Sequence, residues 1–73
     1  MTRKQYNMFI QVLGEKGNAF LKGDYFTITP KIGPVYEFAV QSKGKMSVLH
    51  KGSYESCVKA AADFVDMTYE FVD

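Results

Sequence analysis

The spacing of apolar residues changes twice along this 73-residue chain, and this change restricts the fold more than any other feature. Near the start, apolar side chains recur at the spacing of one helical face, at Tyr6, Phe9, Ile10 and Leu13. The middle of the chain alternates every second residue and is rich in β-forming side chains. Helical spacing returns after Gly52. The order predicts a helix, a sheet and a second helix.

The first helix carries recognisable end signals. Thr2 and Gln5 have the spacing of a capping box, in which each side chain binds a free amide at a helix start. Gly14 and Gly17 are typical helix terminators. A helix is therefore predicted over about residues 3–14.

Three strands are predicted in the middle of the chain. The runs 25–29, 35–41 and 46–50 are separated by the turn signals Gly33-Pro34 and Ser42-Lys43-Gly44-Lys45. Lys22-Gly23-Asp24 predicts a further tight turn before them. The connections are too short for parallel crossovers, so an antiparallel meander is expected. In the second predicted strand, alternation places Tyr36, Phe38 and Val40 on one face. In the third predicted strand, Met46, Val48 and His50 share a face, and the opposite face holds Lys45, Ser47, Leu49 and Lys51.

The last element is predicted to be a long helix. Ser53 is a good N-cap, and Glu55 suits the first turn of a helix. One helical face is apolar, with Tyr54, Cys57, Val58, Ala61, Phe64, Val65, Thr68 and Val72. The opposite face carries charged residues at separations of three and four, which are Lys59, Asp63, Asp66, Glu70 and Asp73.

Together these elements predict an α+β fold of order α-β-β-β-α. It consists of a three-stranded antiparallel meander with both helices packed on one face, within a single small domain spanning residues 1–73. No run of about 20 apolar residues is present, so no membrane span is expected. The single cysteine, Cys57, and the lack of a signal-peptide pattern favour a cytoplasmic protein.

Catalytic and metal-binding patterns are weak. The only histidine, His50, and Cys57 could form a nucleophile–base pair, but Cys57 lies on the apolar helical face, which favours a packing role. One histidine and one cysteine are too few for a zinc site. No enzymatic activity and no cofactor is predicted.

Charge is sorted along the chain. Residues 1–51 hold eight basic and three acidic side chains, whereas residues 52–73 hold one basic and five acidic ones. We predict a small binding protein that contacts another protein through its acidic last helix, as a regulator or inhibitor of a larger, nucleic-acid-handling machine. The predicted protein-binding residues are Asp63, Asp66, Glu70, Tyr69 and Phe71, and the aromatic rim among them also suits a homodimer contact.

Two other interpretations remain open at this stage. Lysines on the sheet and its loops could bind a nucleic-acid backbone, and the alternative site consists of Lys31, Lys43, Lys45 and Lys51. These lysines could equally protect exposed strand edges from aggregation. The acidic residues could form an ordinary solvated face of the last helix.

Overall fold

The computed structural model describes residues 1–72 and contains two helices and four strands. The elements are, in chain order, α1 (Arg3–Lys16), β1 (Asn18–Leu21), β2 (Asp24–Pro30), β3 (Tyr36–Ser42), β4 (Lys45–Gly52) and α2 (Tyr54–Thr68). The four strands form one antiparallel sheet in which each strand pairs with its neighbour along the chain. The predicted α+β class is confirmed.

The prediction of three strands is wrong, because a fourth strand precedes them. Residues Asn18–Leu21 pair with β2, from Asn18 opposite Thr27 to Leu21 opposite Asp24. Both residues of the connecting turn have positive φ, 49° at Lys22 and 88° at Gly23, which is the geometry of a tight two-residue hairpin. The sequence predicts this turn, but a run of four residues is too short for its alternation to identify the strand.

The helix ends follow their sequence signals. The Thr2 hydroxyl accepts a hydrogen bond from the Gln5 amide at 3.1 Å, and the Gln5 side chain accepts one from the Thr2 amide at 2.8 Å. Helix α1 continues through Gly14 and ends before Gly17, whose φ of 78° favours glycine. At α2, the Ser53 hydroxyl accepts from the Ser56 amide, as its N-cap role predicts.

Both helices cover the same face of the sheet. Phe26, at the centre of β2, is fully buried, and its ring contacts those of Phe9, Phe38 and Phe64, with centroids 4.8 to 6.0 Å apart. These rings come from α1, two strands and α2, so the core joins every layer of the fold. The Tyr54 hydroxyl donates to the Gly14 carbonyl at 2.7 Å and links the two helices directly.

An extra residue in β4 changes which side chains share a face. Phe38 pairs with His50, while the next residue of β3, Ala39, pairs with Val48, so Leu49 has no partner. His50 consequently faces the helices, whereas Val48 lies on the opposite face. Met46 and Val48 share a face as predicted, but the placement of His50 on that face is wrong.

Candidate functional site

The acidic residues predicted to bind a partner are placed on two different elements. Asp63 and Asp66 lie exposed on α2, and each already has a basic neighbour. Asp63 is 3.3 Å from Lys59, and Asp66 is 3.4 Å from Arg3. Helix α2 ends at Thr68, earlier than predicted, so Glu70 lies beyond it and does not continue the row of carboxylates.

The predicted aromatic rim packs into the fold. The Tyr69 hydroxyl donates a hydrogen bond of 2.6 Å to the Asp24 carboxylate, across the molecule at the start of β2. The Phe71 ring lies 5.4 Å from the Tyr6 ring, with the Arg3 guanidinium 4.0 Å from its centre. Tyr69 and Phe71 are both half-buried, so most of their apolar surface is already used within the chain.

The bond between Tyr69 and Asp24 changes the acidity of both groups. The Tyr69 hydroxyl stabilises the ionised carboxylate and lowers the pKa of Asp24, with a further contribution from Ser42. Burial, together with the same carboxylate, raises the pKa of Tyr69. Both shifts favour the pairing of a charged Asp24 with a neutral Tyr69.

The four lysines of the alternative nucleic-acid site are split between the two ends of the sheet. Lys31 and Lys51 flank Glu37, with their amino groups 3.6 and 3.8 Å from its carboxylate. Lys43 and Lys45 lie at the turn between β3 and β4, at the other end. The structure therefore forms two basic pairs, and Glu37 neutralises one of the two positive charges of the first pair.

His50 and Cys57 make separate contacts. The His50 ring is 3.0 Å from the Ser56 hydroxyl, and a Cβ atom at Gly52 would lie only 2.6 Å from that hydroxyl. A side chain at Gly52 would therefore displace the Ser56 hydroxyl from this contact. Cys57 is fully buried in the core, and burial raises the pKa of its thiol. These contacts favour a structural role for both residues.

Cys57 is expected to resist alkylation in the native protein. A buried thiol with a raised pKa reacts only after the structure opens, and an opening that costs ~3 kcal/mol slows the reaction by about a hundred-fold. The measurement is the rate of thiol labelling by a disulfide reagent, with and without denaturant. Equal rates in both conditions would show an accessible thiol and would revive the nucleophile interpretation.

Two rows of the sheet face that the helices leave open are uncharged. Cross-strand pairing aligns Phe20, Tyr25, Gln41 and Met46 in one row across the four strands, and Asn18, Thr27, Ala39 and Val48 in the next. We call these eight residues the open face; the row beyond them holds the ion pair of Glu37 and Lys51. Phe20 is 72% exposed and Met46 62% exposed, and the Phe20 and Tyr25 rings lie 4.5 Å apart. Such a face can contact another macromolecule.

A groove of about 580 Å³ lies between α1 and β1, and its walls are one side of α1 and the edge strand β1. The apolar residues that line it include Met8, Val12, Ala19, Phe20 and Leu21. We call it the α1–β1 groove. The sequence does not predict this groove, because β1 is not recognisable as a strand from its four residues. The one signal for it is that Met8 and Val12 widen the apolar side of the first helix.

The two edges of the sheet differ in how they are protected. Strand β4 has lysines near both ends, Lys45 and Lys51, and a bulge at Leu49, which are devices that discourage pairing with another strand. Strand β1 is short and also has lysines beyond its ends, Lys16 and Lys22, but it has no bulge in its register with β2. Apolar side chains flank it on both faces, Phe20 on the open face and Met8 across the α1–β1 groove. The β1 edge is consequently the better surface for contact with another chain.

Within residues 1–72, no three side chains of histidine, cysteine, aspartate or glutamate are grouped so as to hold a metal ion. Neither helix in this range is long and apolar enough to cross a membrane. Comparisons of the chain with protein-family models, with curated proteins and with solved structures find no match.

Proposed function

We propose that the protein is a small binding module that contacts another protein at the α1–β1 groove. The observation that carries this proposal is the combination of an apolar groove and a regular strand edge without a bulge at the same place. Groove-lining Met8 is 59% exposed and Phe20 72% exposed, so a partner could still bury most of their apolar surface. The protein-binding class is the one predicted from the sequence, whereas the surface differs.

The acidic face of α2 is a weaker candidate for this contact. Asp63 and Asp66 each form an ion pair within the chain, and a partner would have to replace those pairs to gain charge contacts. Exposed ion pairs contribute about 0–1 kcal/mol, so exchanging one for another yields little affinity. Tyr69 and Phe71 are committed to contacts with Asp24 and Tyr6. The groove offers more surface that is not yet used.

Two methionines with nearly equal exposure provide a matched test of the docking surface. Met8 lines the groove and is 59% exposed, while Met46 lies on the open face and is 62% exposed. Peptides are selected from a display library of random nine-residue sequences on the immobilised protein, and their affinities are measured by isothermal titration calorimetry. Met8→Ser is expected to weaken binding about tenfold, because a buried methionine contributes ~1.5 kcal/mol or more. Met46→Ser is expected to leave the affinity unchanged.

The same peptides distinguish the other surfaces. If Met46→Ser weakens binding and Met8→Ser does not, the open face is the docking surface and the proposal is wrong. If the double change Asp63→Lys and Asp66→Lys abolishes binding while the circular dichroism spectrum is kept, the acidic helix is the working surface, as the sequence predicts. A library that yields no enriched peptide also contradicts the proposal.

Nucleic-acid binding is a second candidate, which the distribution of charge between layers favours. The strands and their loops, residues 18–52, hold five lysines and two acidic residues, and the open face presents the Phe20 and Tyr25 rings. Exposed rings beside lysines can stack on bases while the lysines neutralise phosphates. If this candidate is right, a single-stranded oligonucleotide binds the protein at ~50 mM salt. The double variant Lys43→Gln and Lys45→Gln then weakens this binding more than the control variant Lys4→Gln does.

A further inference from the structure

We propose that the α1–β1 groove binds an extended peptide that adds a fifth strand to the sheet at β1, with apolar side chains at alternate positions and acidic residues at both ends. This inference rests on the proposed function and names its binding mode and the chemistry of its ligand. Strand addition of this kind combines main-chain hydrogen bonds with side-chain pockets.

The backbone of β1 has hydrogen-bonding groups directed outward. The Ile28 amide donates to the Gly17 carbonyl at 2.7 Å, which identifies this pair as a hydrogen-bonded one. Hydrogen-bonded pairs alternate in antiparallel strands, so Ala19 and Leu21 bond to β2, whereas Asn18 and Phe20 direct their amides and carbonyls away from the sheet. Within residues 1–72, no loop or helix backbone bonds to these outward groups of Asn18 and Phe20. An extended chain can therefore bond to them.

The groove supplies the side-chain contacts that strand addition needs. Successive side chains of a strand point to opposite faces, so alternate residues of an added strand would enter the α1–β1 groove. There they would meet Met8 and Val12 of α1, which are 59% and 39% exposed. The remaining side chains would extend the open face beside Phe20. Apolar residues at alternate positions of the ligand fit this arrangement.

The charges around the groove determine which residues are favoured at the two ends of the bound peptide. Lys16, at the end of α1, precedes β1, and Lys22 follows it, so the two ammonium groups belong to opposite ends of the groove. No aspartate or glutamate lines the groove within residues 1–72. An extended segment with an acidic residue at each end complements both lysines, and this attraction falls as salt rises.

A second copy of the chain fits this edge less well than an acidic peptide does. Antiparallel pairing of two β1 strands about a two-fold axis would bring Lys16 of each copy toward Lys22 of the other. The groove contains no acidic side chain to compensate these like charges. The ligand that the charges favour is therefore a segment of a different, acidic chain.

The test uses peptides selected by display and two variants of one residue. Phe20→Ala removes the ring but keeps the outward amide, whereas Phe20→Pro removes both the ring and the amide donor. Proline is tolerated at a strand edge where the amide faces solvent. We expect Phe20→Pro to bind the selected peptides about tenfold more weakly than Phe20→Ala, because a hydrogen bond is lost. Both variants are checked for folding by circular dichroism.

Hydrogen exchange of the unmodified protein provides a readout that does not depend on the proline variant. Saturating peptide is expected to slow exchange of the Phe20 amide at least tenfold. In addition, Lys16→Gln with Lys22→Gln should weaken binding severalfold, whereas Lys4→Gln, outside the groove, should not. Analytical ultracentrifugation of the free protein should show a monomer.

The outcomes separate this inference from the proposed function. In one outcome, Met8→Ser weakens binding, Phe20→Pro and Phe20→Ala bind equally well, and the peptide does not slow exchange of the Phe20 amide. The groove is then the docking surface, but the peptide does not add a strand. Selected peptides without acidic ends, or affinities unaffected by the lysine changes, overturn the charge assignment. A dimer whose formation protects the Phe20 amide would identify a second copy as the occupant instead.

Discussion

Replacing Phe26 with alanine is expected to lower the free energy of unfolding by about 3–5 kcal/mol and to leave the protein close to unfolding at 37 °C. Phe26 is fully buried, and its ring contacts Phe9, Phe38 and Phe64. A domain of this length has a total stability of roughly 4–11 kcal/mol, so one cavity at this position removes a large part of it. The measurement is urea denaturation followed by far-ultraviolet circular dichroism.

Phe20→Ala is the matched control for this prediction. It makes the same chemical change on the adjacent strand, but the Phe20 ring is 72% exposed and contacts chiefly Tyr25. Its expected cost is below about 1 kcal/mol, since little buried surface is lost. Equal costs for the two variants would mean that the core is not centred on β2. A small cost for Phe20 also keeps this variant usable in the binding experiments.

Features that depend on neighbouring residues in the chain were predictable from the sequence. The capping box of α1, the Ser53 cap of α2 and the turn at Lys22 all arise from local geometry, and the structure shows each of them. The face predicted for β3 follows from simple alternation, and its residues Tyr36, Phe38 and Val40 all contribute to the core. In these segments the local preference and the final fold agree.

Features that depend on distant partners were not predictable. The bulge at Leu49 exists only in the register between β3 and β4, and it exchanges the faces expected for His50 and Lys51. Strand β1 is recognisable only through its pairing with β2. Because the α1–β1 groove is built on that strand, the error in strand number also concealed the candidate site. The acidic residues, by contrast, have a regular spacing that predicts one row along a helix, but α2 ends at Thr68, before the row is complete.

Removal of the residues after Thr68 is expected to lower the free energy of unfolding by about 3 kcal/mol. The removed segment contains two half-buried aromatic rings, of Tyr69 and Phe71, each of which contributes ~1 kcal/mol at that degree of burial. The Glu70 carbonyl also accepts a hydrogen bond from the Met1 amino group at 2.6 Å, and the Val72 amide donates to the Met1 carbonyl at 3.1 Å. Each such bond adds about 0.5–1.5 kcal/mol. Thermal unfolding followed by circular dichroism measures the loss, and an unchanged midpoint would contradict these contacts.

Tyr69→Phe isolates one contact of this segment and gives it a pH dependence. The variant keeps the ring but removes the hydroxyl that binds Asp24, at an expected cost of about 1 kcal/mol near neutral pH.

Because the folded-state pKa of Asp24 is lowered, its stabilising contribution is present above its unfolded value of about 3.9 and is lost as pH falls through the folded value. Because the pKa of Tyr69 is raised, its contribution is present below about pH 10 and is lost as pH rises through the folded value. The stability difference between the two proteins should therefore be largest between these limits and shrink at acidic pH. A difference that stays constant down to pH 2 would mean that the effect of the hydroxyl does not depend on the charge of Asp24, and the ionised carboxylate would then have no part in holding the segment after α2.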